Sequence, residues 1–225
     1  MFAQNRLNPV VATFAAILAF SVAALAQSSA PLLKLQRGRA DLSLETNVVH
    51  AEGMNGITYG KSGDVSNYPN SLSCLVVYGD GRFIFEKREE VTVGKPKVKL
   101  AEGTLAADDL QHLKSILDDE AVKTLASPKP LTPPDNSTVR EIENVDVQID
   151  RSGSPQTLSL SKGRFKMAAT ETGGATTGMD TYLDNGGSVR KTLNPLMKWF
   201  EGLEKKSKSD FKDSQPQYCR PISIG

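Results

Sequence analysis

The sequence predicts an α+β fold: an antiparallel sheet of about five strands, two hairpins plus one strand, with two helices packed on one face. Three observations carry this. Leu72 to Tyr78 and Arg82 to Arg88 are both rich in β-formers, and Gly79-Asp80-Gly81 turns one into the other. Val145, Val147 and Ile149 alternate with Asp146, Gln148 and Asp150; past a Ser152–Pro155 turn, Leu158 and Leu160 alternate with serines. Two later stretches repeat apolar residues at helical spacing: Ala106, Leu110, Leu113, Leu117, and then Leu196, Met197, Phe200, Leu203.

In chain order, residues 1–26 read as a signal peptide. Arg6 is its one charge, Val10 to Ala26 is uncharged and apolar, and Ala24-Leu25-Ala26 before Gln27 is the small-x-small ending that signal peptidase accepts. An uncleaved membrane anchor is the competing reading, but the run falls slightly short of the ~20 residues a bilayer needs, and alanine is weakly hydrophobic. Residues 27–41 read as a tether with an apolar patch at Leu32, Leu33 and Leu35. A single α+β domain is expected over 42–210 and a tail over 211–225.

Within the domain, 42–50 alternate loosely as a strand would, and 53–70 is a loop rich in Gly, Ser, Asn and Pro. The first hairpin is apolar on both faces (Cys74, Val76 against Leu75, Val77; Phe83, Phe85 against Ile84), which places it centrally in the sheet. A strand near Val98 to Leu100 follows the Gly94–Pro96 break. The first helix has Asp108 and Asp109 in its first turn, where they oppose the helix dipole, and a short extension carries Ala121, Val122 and Leu125. Residues 127–135 are too proline-rich for helix or central strand and act as a stiff connector. After the second hairpin, 170–188 is Gly- and Thr-rich with little to bury. Asn194 is the expected cap of the last helix, with Pro195 at its first position.

The segment CLVVYGDGRFIFE (74–86), a strand, EGTLAADDLQHLKSIL (102–117), and the late hairpin and closing helix together resemble a family of exported bacterial domains of unknown function. That family shares a "YxDGxxxYE"-like hairpin followed by a short helix, and the resemblance covers residues 72–204. It implies fold and export, and no activity. The chain departs from the pattern in its 170–188 insert and in Phe85, where an aromatic hydroxyl is usual.

Lys plus Arg number 27 against 26 Asp plus Glu, and Arg6 leaves with the signal peptide, so the mature chain is balanced. Balance argues against nucleic acid or an anionic membrane surface as partner. No later apolar run is long enough to span a bilayer, so no membrane insertion is expected after cleavage; the expected location is the periplasm or the exterior of a bacterium. Cys74 and Cys219 are the only cysteines, and in an oxidising compartment they are expected to pair; the alternative is a buried free Cys74 with Cys219 in a loose tail.

Chemistry-bearing motifs are scarce. Asn55 to Ser62 nearly spells a phosphate-binding loop, but Asn55 stands where Gly is needed and Gly63 to Pro69 cannot be the required helix. The two histidines, His50 and His112, have no zinc-like spacing, and His112 lies about 130° from the apolar stripe of its helix. The carboxylate runs Glu89-Glu90, Asp108-Asp109 and Asp118-Asp119-Glu120 sit in polar contexts, whereas acid–base work needs a carboxyl in an apolar pocket. No catalytic residue, cofactor or metal is therefore expected. The expected role is a non-catalytic binding module of the bacterial envelope or exterior, its partner an envelope protein or a glycan. Its contact surface is expected in the loops 53–70 and 170–188, with Tyr59, Tyr68 and Tyr182, and at Trp199, about 100° off the centre of its helix stripe. Competing readings are an extracytoplasmic hydrolase with a site built on His50 or His112, and a structural spacer.

Overall fold

The computed structural model describes residues 30–41, 63–64, 70–90, 96–134, 137–151, 153–167, 179–220 and 223–224. Its elements in chain order are β1 (Pro31–Asp41), β2 (Gly63–Asp64), β3 (Asn70–Tyr78), β4 (Arg82–Glu90), β5 (Lys97–Thr104), α1 (Ala107–Leu117), α2 (Glu120–Lys123), β6 (Ser137–Ile149), β7 (Gln156–Met167), β8 (Asp180–Asp184), α3 (Gly187–Thr192), α4 (Asn194–Lys206), β9 (Lys212–Asp213) and β10 (Ser223–Ile224). An antiparallel sheet of eight strands runs β8-β7-β6-β1-β3-β4-β5-β9, and β2 pairs with β10 separately.

The fold class is as expected, but the expected counts of five strands and two helices are too low: four helices accompany the sheet. The largest correction is at 27–41. Pro31–Asp41 is no tether but a central strand, hydrogen-bonded to β3 on one side and β6 on the other. Its apolar residues change faces along its length, from Leu33 and Leu35 to Ala40, and this masks the alternation. Asn194 is also not a cap: α3 runs straight into α4, Leu193 takes the cap position in a helical conformation, and Pro195 lies in the first turn. The strand expected over 42–50 lies outside the described residues.

Registers explain why the central strands are apolar on both sides. One cross-strand row reads Ala101, Phe85, Leu75, Leu35, Val147, Leu158 over six successive strands. This row belongs to the main core, which α1 and α4 seal with Leu113, Ile116, Leu117, Leu196, Trp199, Phe200 and Leu203. Farther along the same strands the apolar residues move to the opposite face: Ala40, Leu72, Cys74, Ile142 and Phe165 form a second cluster, closed in part by Leu131 and Leu183. The sheet thus carries two cores, on opposite faces and offset along the strands.

The proline-rich connector reaches the second cluster. Ser127 Oγ accepts from the Ser159 amide, Lys129 O accepts from the Asn185 side chain, and Leu131 then enters the second cluster. Gly163 is required beneath that cluster's aromatic ring, since a Cβ there would lie 3.0 Å from both the Phe165 ring and Glu141 O. The first hairpin turns through Gly81, whose φ of 90° is favoured by glycine alone, and Gly81 N donates to Tyr78 O.

The C-terminal tail rounds the β5 edge. Phe211 packs edge-on against Phe85 in the main core, β9 pairs with β5, and the chain then crosses the helix-free face as a strap. It follows one cross-strand row, Glu86, Cys74, Gln36, over β4, β3 and β1. Glu86, fully buried, accepts from the amides of Gln217 and Tyr218; Cys219 is disulfide-bonded to Cys74 with Cα atoms 5.4 Å apart; and the Gln36 amide bonds both N–H and C=O of Arg220. The expected Cys74–Cys219 pair is present.

Candidate functional site

Where the main core ends, the helix-bearing face of the sheet turns charged. The boundary is set by α4, whose Glu201 and Glu204 pair with Arg37 of β1 and Lys87 of β4. One step beyond, the registers place Lys97, Glu89, Ser71, Arg39, Glu143, Lys162 and Asp184 side by side across seven strands, from β5 to β8. The signs alternate apart from the serine, which suits a sheet because opposite charges stabilise directly facing positions.

Over β6, β7 and β8 this row and its neighbours line a groove of about 280 Å³, with Glu141, Glu143, Lys162, Gly163, Arg164, Tyr182, Leu183 and Asp184 around it. Four ion pairs hold its charged groups: Arg39–Glu141 at 2.8 Å, Lys162–Glu143 at 3.0 Å, Arg164–Asp180 at 3.6 Å and Arg190–Asp184 at 3.2 Å. The side chains on these pairs are partly exposed, so they orient one another more than they stabilise the fold. The Nε of Arg164 and the Nη2 of Arg190 are enclosed without an acceptor. Tyr182, directly opposite Arg164 on β8, is 74% exposed, and Met179 just before the strand is 72% exposed.

A second, larger groove of about 560 Å³ lies on the helix-free face beside the strap, lined among others by Lys34, Gln36, Asp146, Gln148, Thr157, Ser159 and Tyr218. Burial, Glu102, Tyr78 and Glu86, in that order, push the Tyr218 hydroxyl above its ordinary pKa of 10.0. At the first hairpin, Arg82 bonds the exposed Asp80 carboxylate and holds its pKa below the usual value.

Of the expected contact residues, Tyr182 is exposed and borders the first groove. Trp199 is not a surface residue: only 9% exposed, it belongs to the main core, because α4 is covered over a wider arc than its apolar stripe suggests. Tyr59, Tyr68 and His50 lie outside the described residues, as do the Asn55–Ser62 motif and residues 170–178 of the expected contact loop. His112 and Asp108 are on exposed positions of α1, and Asp118, Asp119 and Glu120, at the junction of α1 and α2, are exposed as well. No group of His, Cys, Asp and Glu suited to a metal occurs among the described residues.

The groove's charged residues and their partners are not legible in the sequence because they are scattered over β1, β6, β7, β8 and α3. Their one local signal is the switch in β6 and β7 from apolar to charged residues on the same alternate positions: Val147 and Val145 to Glu143, and Leu158 and Leu160 to Lys162 and Arg164. Comparison of the chain with protein-family models, with curated proteins and with solved structures finds no match.

Proposed function

We propose that this protein is an extracytoplasmic, non-catalytic binding module that engages a component of the bacterial envelope or exterior through the open groove over β6, β7 and β8. The observation that carries the reading is the groove itself: charged side chains fixed by ion pairs, with a highly exposed tyrosine at the rim. Pre-oriented polar groups beside an exposed aromatic ring make a binding surface at low entropic cost. Export is supported by the leader over 1–26 and by the Cys74–Cys219 disulfide, a bond that persists in oxidising compartments.

Two measurements test it. N-terminal sequencing of the protein expressed with its leader in a bacterium is expected to begin at Gln27 in the exported fraction; full-length chain confined to the cytosol would overturn the location. In co-sedimentation with isolated envelope material, the wild-type protein is expected in the pellet and a Lys162→Ala, Tyr182→Ala double variant in the supernatant. Wild-type protein left in the supernatant, or equal sedimentation of the two, defeats the proposed face.

A further inference from the structure

We infer that the ligand of the β6–β8 groove is an uncharged glycan, an inference that rests on the binding role proposed above and names its ligand class. Charge speaks first. The four cations at the groove, Arg39, Lys162, Arg164 and Arg190, are matched one to one by Glu141, Glu143, Asp180 and Asp184. Within these four pairs the charges cancel, so they offer a polyanion or a polycation little net attraction. A charged ligand would meet each cation already neutralised by its own anion, and each anion by its own cation.

Hydrogen-bonding capacity speaks next. A paired carboxylate keeps unused lone pairs and a paired guanidinium keeps unused N–H groups. A sugar hydroxyl donates and accepts at once, so a single hydroxyl bridges a carboxylate to a neighbouring guanidinium while leaving their ion pair intact. These bonds involve charged partners and are the stronger kind. Amides of a polypeptide have their donors and acceptors fixed apart and match an alternating row less well.

Shape completes the argument. Tyr182 faces Arg164 across β8 and β7 with most of its ring exposed, a flat apolar surface for the C–H face of a pyranose. At about 280 Å³ the space is just under the ~300 to 1,000 Å³ usual for ligand sites, which suits a short stretch of one or two sugar rings.

The test is isothermal titration of the full mature protein with uncharged oligosaccharides (chitohexaose, cellohexaose, maltohexaose) and with charged ones (hexagalacturonate, chitosan hexamer). At least one uncharged ligand is expected to bind, with affinity changing less than about twofold from low to high salt, since no ions are released. Tyr182→Ala is expected to weaken it about tenfold and Tyr182→Phe to preserve it, because the ring and not the hydroxyl makes the contact. The tyrosine is exposed, so thermal melting of both variants should match wild type. Preference for a charged ligand, absence of any uncharged binding, or indifference to Tyr182→Ala would each overturn the inference. If envelope co-sedimentation depends on the groove yet an excess of every uncharged oligosaccharide fails to compete, the ligand class is wrong and the binding role stands. If nothing sediments, the binding role fails first.

Discussion

Glu86 is the residue whose position says most about how this fold is held. Its carboxylate is fully buried on the helix-free face and accepts at 2.9 and 2.7 Å from the amides of Gln217 and Tyr218. Glu86→Ala removes the acceptor of two part-buried N–H groups, so unfolding in urea should show a loss of about 1–3 kcal/mol, with Glu86→Gln losing less because its amide oxygen still accepts. Tyr218 beside it makes a second prediction. Its folded pKa is raised, first by burial and then by Glu102, Tyr78 and Glu86, so the folded state holds the phenolic proton more tightly than the unfolded chain does. The stabilisation is complete below the unfolded value near 10.0 and is lost as pH climbs through the folded one. Melting temperature should therefore fall between pH 9 and 11 in wild type and fall less in Tyr218→Phe. Neither role was legible in the sequence. Glu86 looks like the polar half of an alternating strand, and only the folded tail, 131 residues away in sequence, supplies its partners.

Among the elements, α4 does most to close the main core. Phe200 is fully buried, its ring 5.0 Å from that of Phe85, so Phe200→Ala should cost about 3–5 kcal/mol in equilibrium unfolding. This helix, α1, and both hairpins were readable because each has a regular apolar period over many residues. What escaped reading lacked that period. β1 changes its buried face midway; β8 is a five-residue strand with an acid at each end; α3 has no fully buried residue, only Val189 partly covered; β9 has only two residues. The short, acidic β8 has a physical use at the sheet margin. Were two copies to pair antiparallel about Tyr182, Asp180 would face Asp184, and like charges directly opposite disfavour such pairing.

For the molecule as a whole, the offset cores mean that β1, β3 and β6 are covered first on one face and then on the other. Their amides should exchange with solvent slowest, and β8 should exchange fastest among the sheet strands; hydrogen exchange read by mass spectrometry checks the order. The disulfide spans 145 residues, so a Cys74→Ala, Cys219→Ala double variant should lose roughly 4–5 kcal/mol on the chain-entropy account, measurable by urea unfolding. The same span has a consequence for biosynthesis. Cys219 is made 145 residues after Cys74, so the thiol on β3 waits through that whole stretch before its mate arrives. A product truncated ahead of Cys219 keeps that sulfhydryl unpaired, open to mixed disulfides with glutathione or with other broken copies. Ellman titration of nascent fragments would find it, and a single oxidised bond thereby reports that synthesis ran past Cys219.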